Sequence, residues 1–120
     1  MNSTPLNPAT DVLASDVARQ EVLSALNELL EAERAGARVA METGREITAP
    51  EVAALVEDIH RDEVRWCSML MRTIKSFGAT PSSATGAFWG KAMEIPDVDE
   101  RLKFLNRGQA WVVRKLEALI

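Results

Sequence analysis

Apolar residues recur at Leu23, Leu26, Leu30, Ala37 and Ala40 between about Asp16 and Thr43, the spacing of one helix face, and Gly44 supplies a stop. A second stripe runs through Val52, Val56, Ile59, Leu70 and Ile74 to Phe77, with Gly78 as its C-terminal cap. Thr48 followed by Glu51 reads as a capping box at its start, with Pro50 in the first turn where a missing N–H costs nothing. A third stripe takes Val98, Leu102, Leu105, Val112, Leu116 and Leu119, opened by Pro96 and Asp97 with Glu100 completing a second box. Between the second and third lies a stretch broken by Pro81, Ser82, Ser83, Gly86 and Gly90 around Phe88 and Trp89. That stretch predicts a packed crossover with room for one short helix.

The pattern predicts an all-α bundle of three long helices, with residues 1–14 a mobile N-terminal arm and residues 15–120 one helical domain. Three wide amphipathic faces usually want a fourth. The third stripe is still running at Ile120, so either the sequence is a fragment or another copy supplies the missing wall.

Polar residues interrupt the stripes. In strict heptad steps the first reads Leu26, Leu30, Glu33, Ala37, Ala40, and the second places Glu63 between Ile59 and Leu70, with His60 one turn before it. The third stripe meets Gln109 between Leu105 and Val112. If the first two helices are antiparallel about residue 46 or 47, Glu33 comes level with His60 and within a turn of Glu63. Two carboxylates and an imidazole sharing a divalent cation satisfy one another, whereas a lone buried carboxylate is costly or protonated. Glu33, His60 and Glu63 are therefore the candidate metal ligands, with iron or manganese the expected ion. The competing view pairs the two acids with Arg34, Arg38, Arg61 or Arg65 on solvated faces.

Composition narrows the classes. Hydrophobic residues make up 47% and charged ones 27%, and three Trp, three Phe and no Tyr favour helix over strand. The net charge of −4 is interleaved along the chain, leaving no basic stripe for nucleic acid. Cys67 alone can form neither an intramolecular disulfide nor a cysteine-based zinc site and reads as a small buried residue, which fits a cytoplasmic home. Trp66, Trp89 and Trp111, with Met69 and Met71, read as packing. No stretch has the length of a signal peptide or a membrane span, so neither export by that route nor a membrane anchor is expected. Nucleophile–base pairs and glycine-rich phosphate loops are likewise missing from the sequence.

The segment LNELLEAERAGARVA, residues 26–40, resembles the first helix of ferritin-like proteins, in which one acid follows a leucine-rich turn. LVEDIHRDEVRWCSML, residues 55–70, resembles their second helix, usually an acid followed three residues later by a histidine. Glu33 and Glu63 match the two acids; Trp66 holds the histidine position, and His60 lies three residues before Glu63 instead. A literal acid-to-histidine spacing also runs from Glu57 to His60, but Glu57 points away from the stripe. The resemblance covers residues 20–77, fades in the third helix, and lacks the helix with the second acid-and-histidine pair. It implies a ferritin-like helical bundle whose fourth helix is absent from this chain, binding a divalent metal. If the site is redox-active, it implies oxygen or peroxide chemistry with iron oxidation the simplest reaction. The departures imply the alternative, a metal-free scaffold for homo-oligomerisation or partner binding. A homo-oligomer is the expected assembly under either reading.

Overall fold

A computed structural model describes the backbone of residues 8–119 and side chains from residue 15. Four helices follow in order: α1 Pro8–Gly44, α2 Pro50–Ser76, α3 Phe88–Met93 and α4 Val98–Leu119. The three long stripes and the crossover helix are those the periodicity predicts. α1 begins at Pro8 instead of near Asp16, and residues 1–7 of the expected arm lie outside the described residues.

α1 is the centre of the molecule. It packs closely against α2, α3 and α4, while α2 and α4 keep their backbones apart and meet through side chains. Its middle is accordingly buried on most sides, through Leu29, Leu30, Ala35, Ala37, Val39 and Ala40. α2 runs antiparallel to α1: Val56 packs with Val39 near the turn, and Ile74 with Leu23 at the far end. The crossover then travels back along α1, with Ser82 N–H donating to Asn27 Oδ1 at 2.7 Å, Gly86 N–H to Glu31 O at 3.3 Å and Trp89 Nε1–H to Glu42 Oε2 at 3.1 Å. α4 returns antiparallel to α1 and parallel to α2, since Arg101 meets Thr43 and Lys115 meets Glu28.

The caps differ in how they are made. Gly78, at φ +77°, closes α2 as expected, with its own N–H on Lys75 O and that of Ala79 on Ile74 O. Asp97 Oδ2 accepts from the Glu100 N–H at 3.0 Å and starts α4. The Thr48–Glu51 box does not form: Ala49 is the N-cap of α2, without a side-chain cap, and Pro50 at the first turn lowers the number of donors needing one.

Two apolar clusters make the core. One joins Leu23, Leu26, Leu29 and Leu30 to Leu70, Ile74 and Val112. The other joins Val39, Ala40, Val56, Ala92 and Leu105, with Phe88 stacked on Phe104 at 4.8 Å between ring centroids. At that second end Arg101 is buried, a role its place beside the Leu102–Leu105 stripe did not announce. Its guanidinium donates to Thr43 Oγ1 at 3.3 Å, to Ile95 O at 2.8 and 3.0 Å, and to Glu46, tying the start of α4 to the end of α1. No helix among the described residues is long and apolar enough to cross a membrane.

Candidate functional site

Between the two clusters the core turns polar. Glu33 of α1 and Glu63 of α2 are buried, at 8% and 3% exposure, each on the heptad position where a leucine would continue the stripe. Gln109 of α4 joins them, donating from Nε2 to Glu63 Oε1 at 3.3 Å. The other oxygen, Glu63 Oε2, is buried without a hydrogen-bond partner. Each long helix thus contributes one polar side chain to the layer.

Gly36 makes the layer possible. A Cβ at this position would overlap Glu63 Oε2 and lie 2.9 Å from its Cδ, so the missing side chain is the space that the carboxylate occupies against α1. Gly36 is not among the candidates that spacing and chemistry single out in the sequence. Its only signal was a glycine inside a strong helical stripe, one turn after Glu33, where a packing reason is the usual cause.

Burial governs the charge state. Desolvation pushes the Glu33 carboxyl up to about 7. It pushes Glu63 up to about 8, helped by the charge of Glu33 and opposed by the Gln109 hydrogen bond. That coupling places the two carboxyls within electrostatic reach of each other. Cys67, one turn beyond Glu63, is buried and its thiol is pushed up to about 11 by desolvation and both acids, so it stays protonated and inert as a nucleophile.

The layer is open on one side. A cleft of about 490 Å³ lies between α1, the crossover and α4, and Glu33, Gly36, Glu63 and Gln109 line it. Phe88, Phe104 and Trp111 supply its apolar surface, and the exposed Arg107 and Arg114 stand at its rim. Gly108 gives room to the Phe88 ring, which would lie 2.7 Å from a Cβ there.

Of the three expected ligands the structure brings two together. His60 is half-buried and makes no hydrogen bond among the described residues, and no group of three or more His, Cys, Asp or Glu is placed there to hold a metal. The third polar member is Gln109. Trp66, in the histidine position of the resemblance, is 42% exposed, and Met69 is 41% exposed, so neither is the core filler expected of it. Trp89 does pack, beneath the Arg38 guanidinium at 3.6 Å.

A family described as Domain of unknown function (DUF6306) matches residues 20–120, which takes in the acid layer and all of α2, α3 and α4. No curated protein and no solved structure matches the chain.

Proposed function

Because the chain belongs to the DUF6306 family, whose function is unknown, its chemistry must be read from its own cleft; we propose a ferritin-like module that takes one divalent cation through Glu33 and Glu63. The ferritin-like part draws support from the topology. An antiparallel pair followed by one crossover along the bundle and a helix parallel to the second is the connection that distinguishes ferritin-like bundles from simple up-and-down ones.

One observation carries the cation: a carboxylate oxygen of Glu63, buried without a partner, beside a second buried acid in a cleft. An ion there would satisfy it, and the donors at hand are hard oxygens suited to Mn²⁺ or Fe²⁺. Two carboxylates and an amide fit one such ion with water completing its shell. They do not fit a two-metal centre, because Trp66 and Gln109 hold positions that an imidazole and a third carboxylate would need. A bound ion would supply Lewis acidity and, for iron or manganese, a redox couple. The chain's own contribution is to hold two acids at a fixed place and to keep the side facing α2 dry.

The test is a calorimetric titration of chelator-stripped protein with Mn²⁺. About one ion per chain is expected, with affinity at least tenfold weaker in Glu33→Gln and in Glu63→Gln. Since the two carboxyls titrate near 7 and 8, ions displace protons below that range, so affinity should climb with pH and level off above about 8. Absent binding, or binding indifferent to both substitutions, would overturn the proposal. That result would select the metal-free scaffold, a reading favoured by the Gln109 amide already bonded to Glu63.

A further inference from the structure

α2 packs mainly against α1 and buries the series Val56, Glu63, Cys67, Leu70 and Ile74 on that side, where Gln109 and Val112 of α4 also reach it. Beside that series a second one runs at heptad spacing through Val52, Leu55, Ile59, Asp62, Trp66, Met69 and Thr73. It is only partly covered: Leu55 is 60%, Trp66 42% and Met69 41% exposed, while Ile59 reaches the core cluster. A tryptophan, a methionine and a leucine in one exposed line are the residue types that anchor helix pairs and interfaces.

The charges along the line say what covers it. Immediately before Val52, Ile59, Trp66 and Thr73 stand Glu51, Asp58, Arg65 and Arg72, all exposed and seven residues apart, acids in the first half of the helix and bases in the second. Laid beside a second α2 in the opposite direction, with Leu55 against Trp66 and Val52 against Met69 of the second copy, Glu51 falls next to Arg72 and Asp58 next to Arg65. Twofold symmetry makes each of these contacts twice. A parallel arrangement would put the two charged rows on opposite flanks of the seam, away from each other, and forgo these pairs. Present partners offer little resistance, because Asp58–Arg61 at 3.1 Å and Asp62–Arg65 at 3.8 Å are exposed pairs of small net worth. Asp62 is the one charged residue in the line, and a polar break inside a helix pair fixes its register at some cost in stability.

We propose that this flank of α2 is a homodimer interface, in which α2 pairs antiparallel with α2 of a second copy. It is independent of the Glu33–Glu63 site, which lies on the neighbouring, buried series of the same helix.

Sedimentation equilibrium of the full chain tests it. The native protein should have twice the 13.2 kDa chain mass. The double variant Arg65→Glu with Arg72→Glu should be monomeric with unchanged helix content, as should the double variant Glu51→Arg with Asp58→Arg. Mixed in equal amounts, the two variants should form a heterodimer, since every acid then faces a base. A native chain that stays monomeric at about 0.1 mM would overturn the proposal. So would a dimer unmoved by either double variant, or variants that fail to associate on mixing; in those cases the flank belongs to some other helix.

Discussion

Leu26, Leu29 and Leu30 of α1 meet Leu70 and Ile74 of α2 and Val112 of α4 in a cluster held by apolar area, whereas the adjoining layer joins the same three helices through Glu33, Glu63 and Gln109. The two layers share helices, spacing and burial, yet they contribute to stability with opposite sign. Each leucine gains on leaving water in proportion to the area it hides. Each glutamate loses on leaving water, and the loss is contained only while the carboxyl stays protonated or finds a counter-charge. A layer that opposes folding in a domain of this size needs strong neighbours, and the acid layer has an apolar cluster on each side.

The largest effect should come from breaking the apolar layer. Leu30 is fully buried, and Leu30→Ala should lower the free energy of unfolding by about 2–5 kcal/mol, read from urea denaturation followed by circular dichroism. A loss under about 1 kcal/mol would mean that the cluster collapses around the missing methyls and is not the support described above.

A smaller, pH-dependent effect sharpens the contrast from the acid side. Both carboxyls bind protons more tightly in the folded chain, near 7 and 8, than an ordinary glutamate does at 4.5. Between those limits the folded state carries more protons than the unfolded one, so stability falls as pH rises. Metal-free protein should therefore be most stable below about pH 4.5 as far as this pair is concerned, lose stability through neutrality, and level off above about 8. Each group adds at most about 1.4 kcal/mol per pH unit to the slope. In Glu63→Gln one of the two titrations disappears and the slope between pH 5 and 8 should shrink, with the variant more stable than the native chain at pH 8. Equal slopes in both proteins would place the ionisation of Glu63 elsewhere in the pH range.

The acid layer was legible in the sequence because heptad spacing reports which direction a side chain leaves its helix, and Glu33, Glu63 and Gln109 each stand in a leucine's direction. Spacing does not report who stands opposite. His60 lies to one side of the Glu63 series, and the level of two antiparallel helices could not bring it into the layer. Arg101 looks like a surface charge until the crossover delivers Ile95 O and α1 delivers Thr43 to its guanidinium. Trp66 has the volume of a core residue, but α2 turns it to a side where it stays 42% exposed. The Thr48 box failed locally: Ala49, the residue before Pro50, takes an extended conformation at φ −70°, ψ 117° and becomes the N-cap itself.

The smallest change in stability should come with a complete change in the site. Gly36 sits in the middle of α1, where alanine is favoured over glycine by about 1 kcal/mol of helix propensity. Against that gain, the added methyl needs the place of the Glu63 carboxylate, whose far end can swing away by side-chain rotation while the backbone stays put. The two contributions should nearly cancel, so that Gly36→Ala unfolds within about 1 kcal/mol of the native chain in urea. Yet the displaced carboxylate no longer lies beside Glu33 and Gln109, and Mn²⁺ affinity should fall at least tenfold. Leu30→Ala should do the reverse, lowering stability while leaving affinity of the folded fraction intact. Retained Mn²⁺ binding in Gly36→Ala would show that an ion, if held, does not depend on the position Glu63 takes against α1, and would separate the acid layer from the metal.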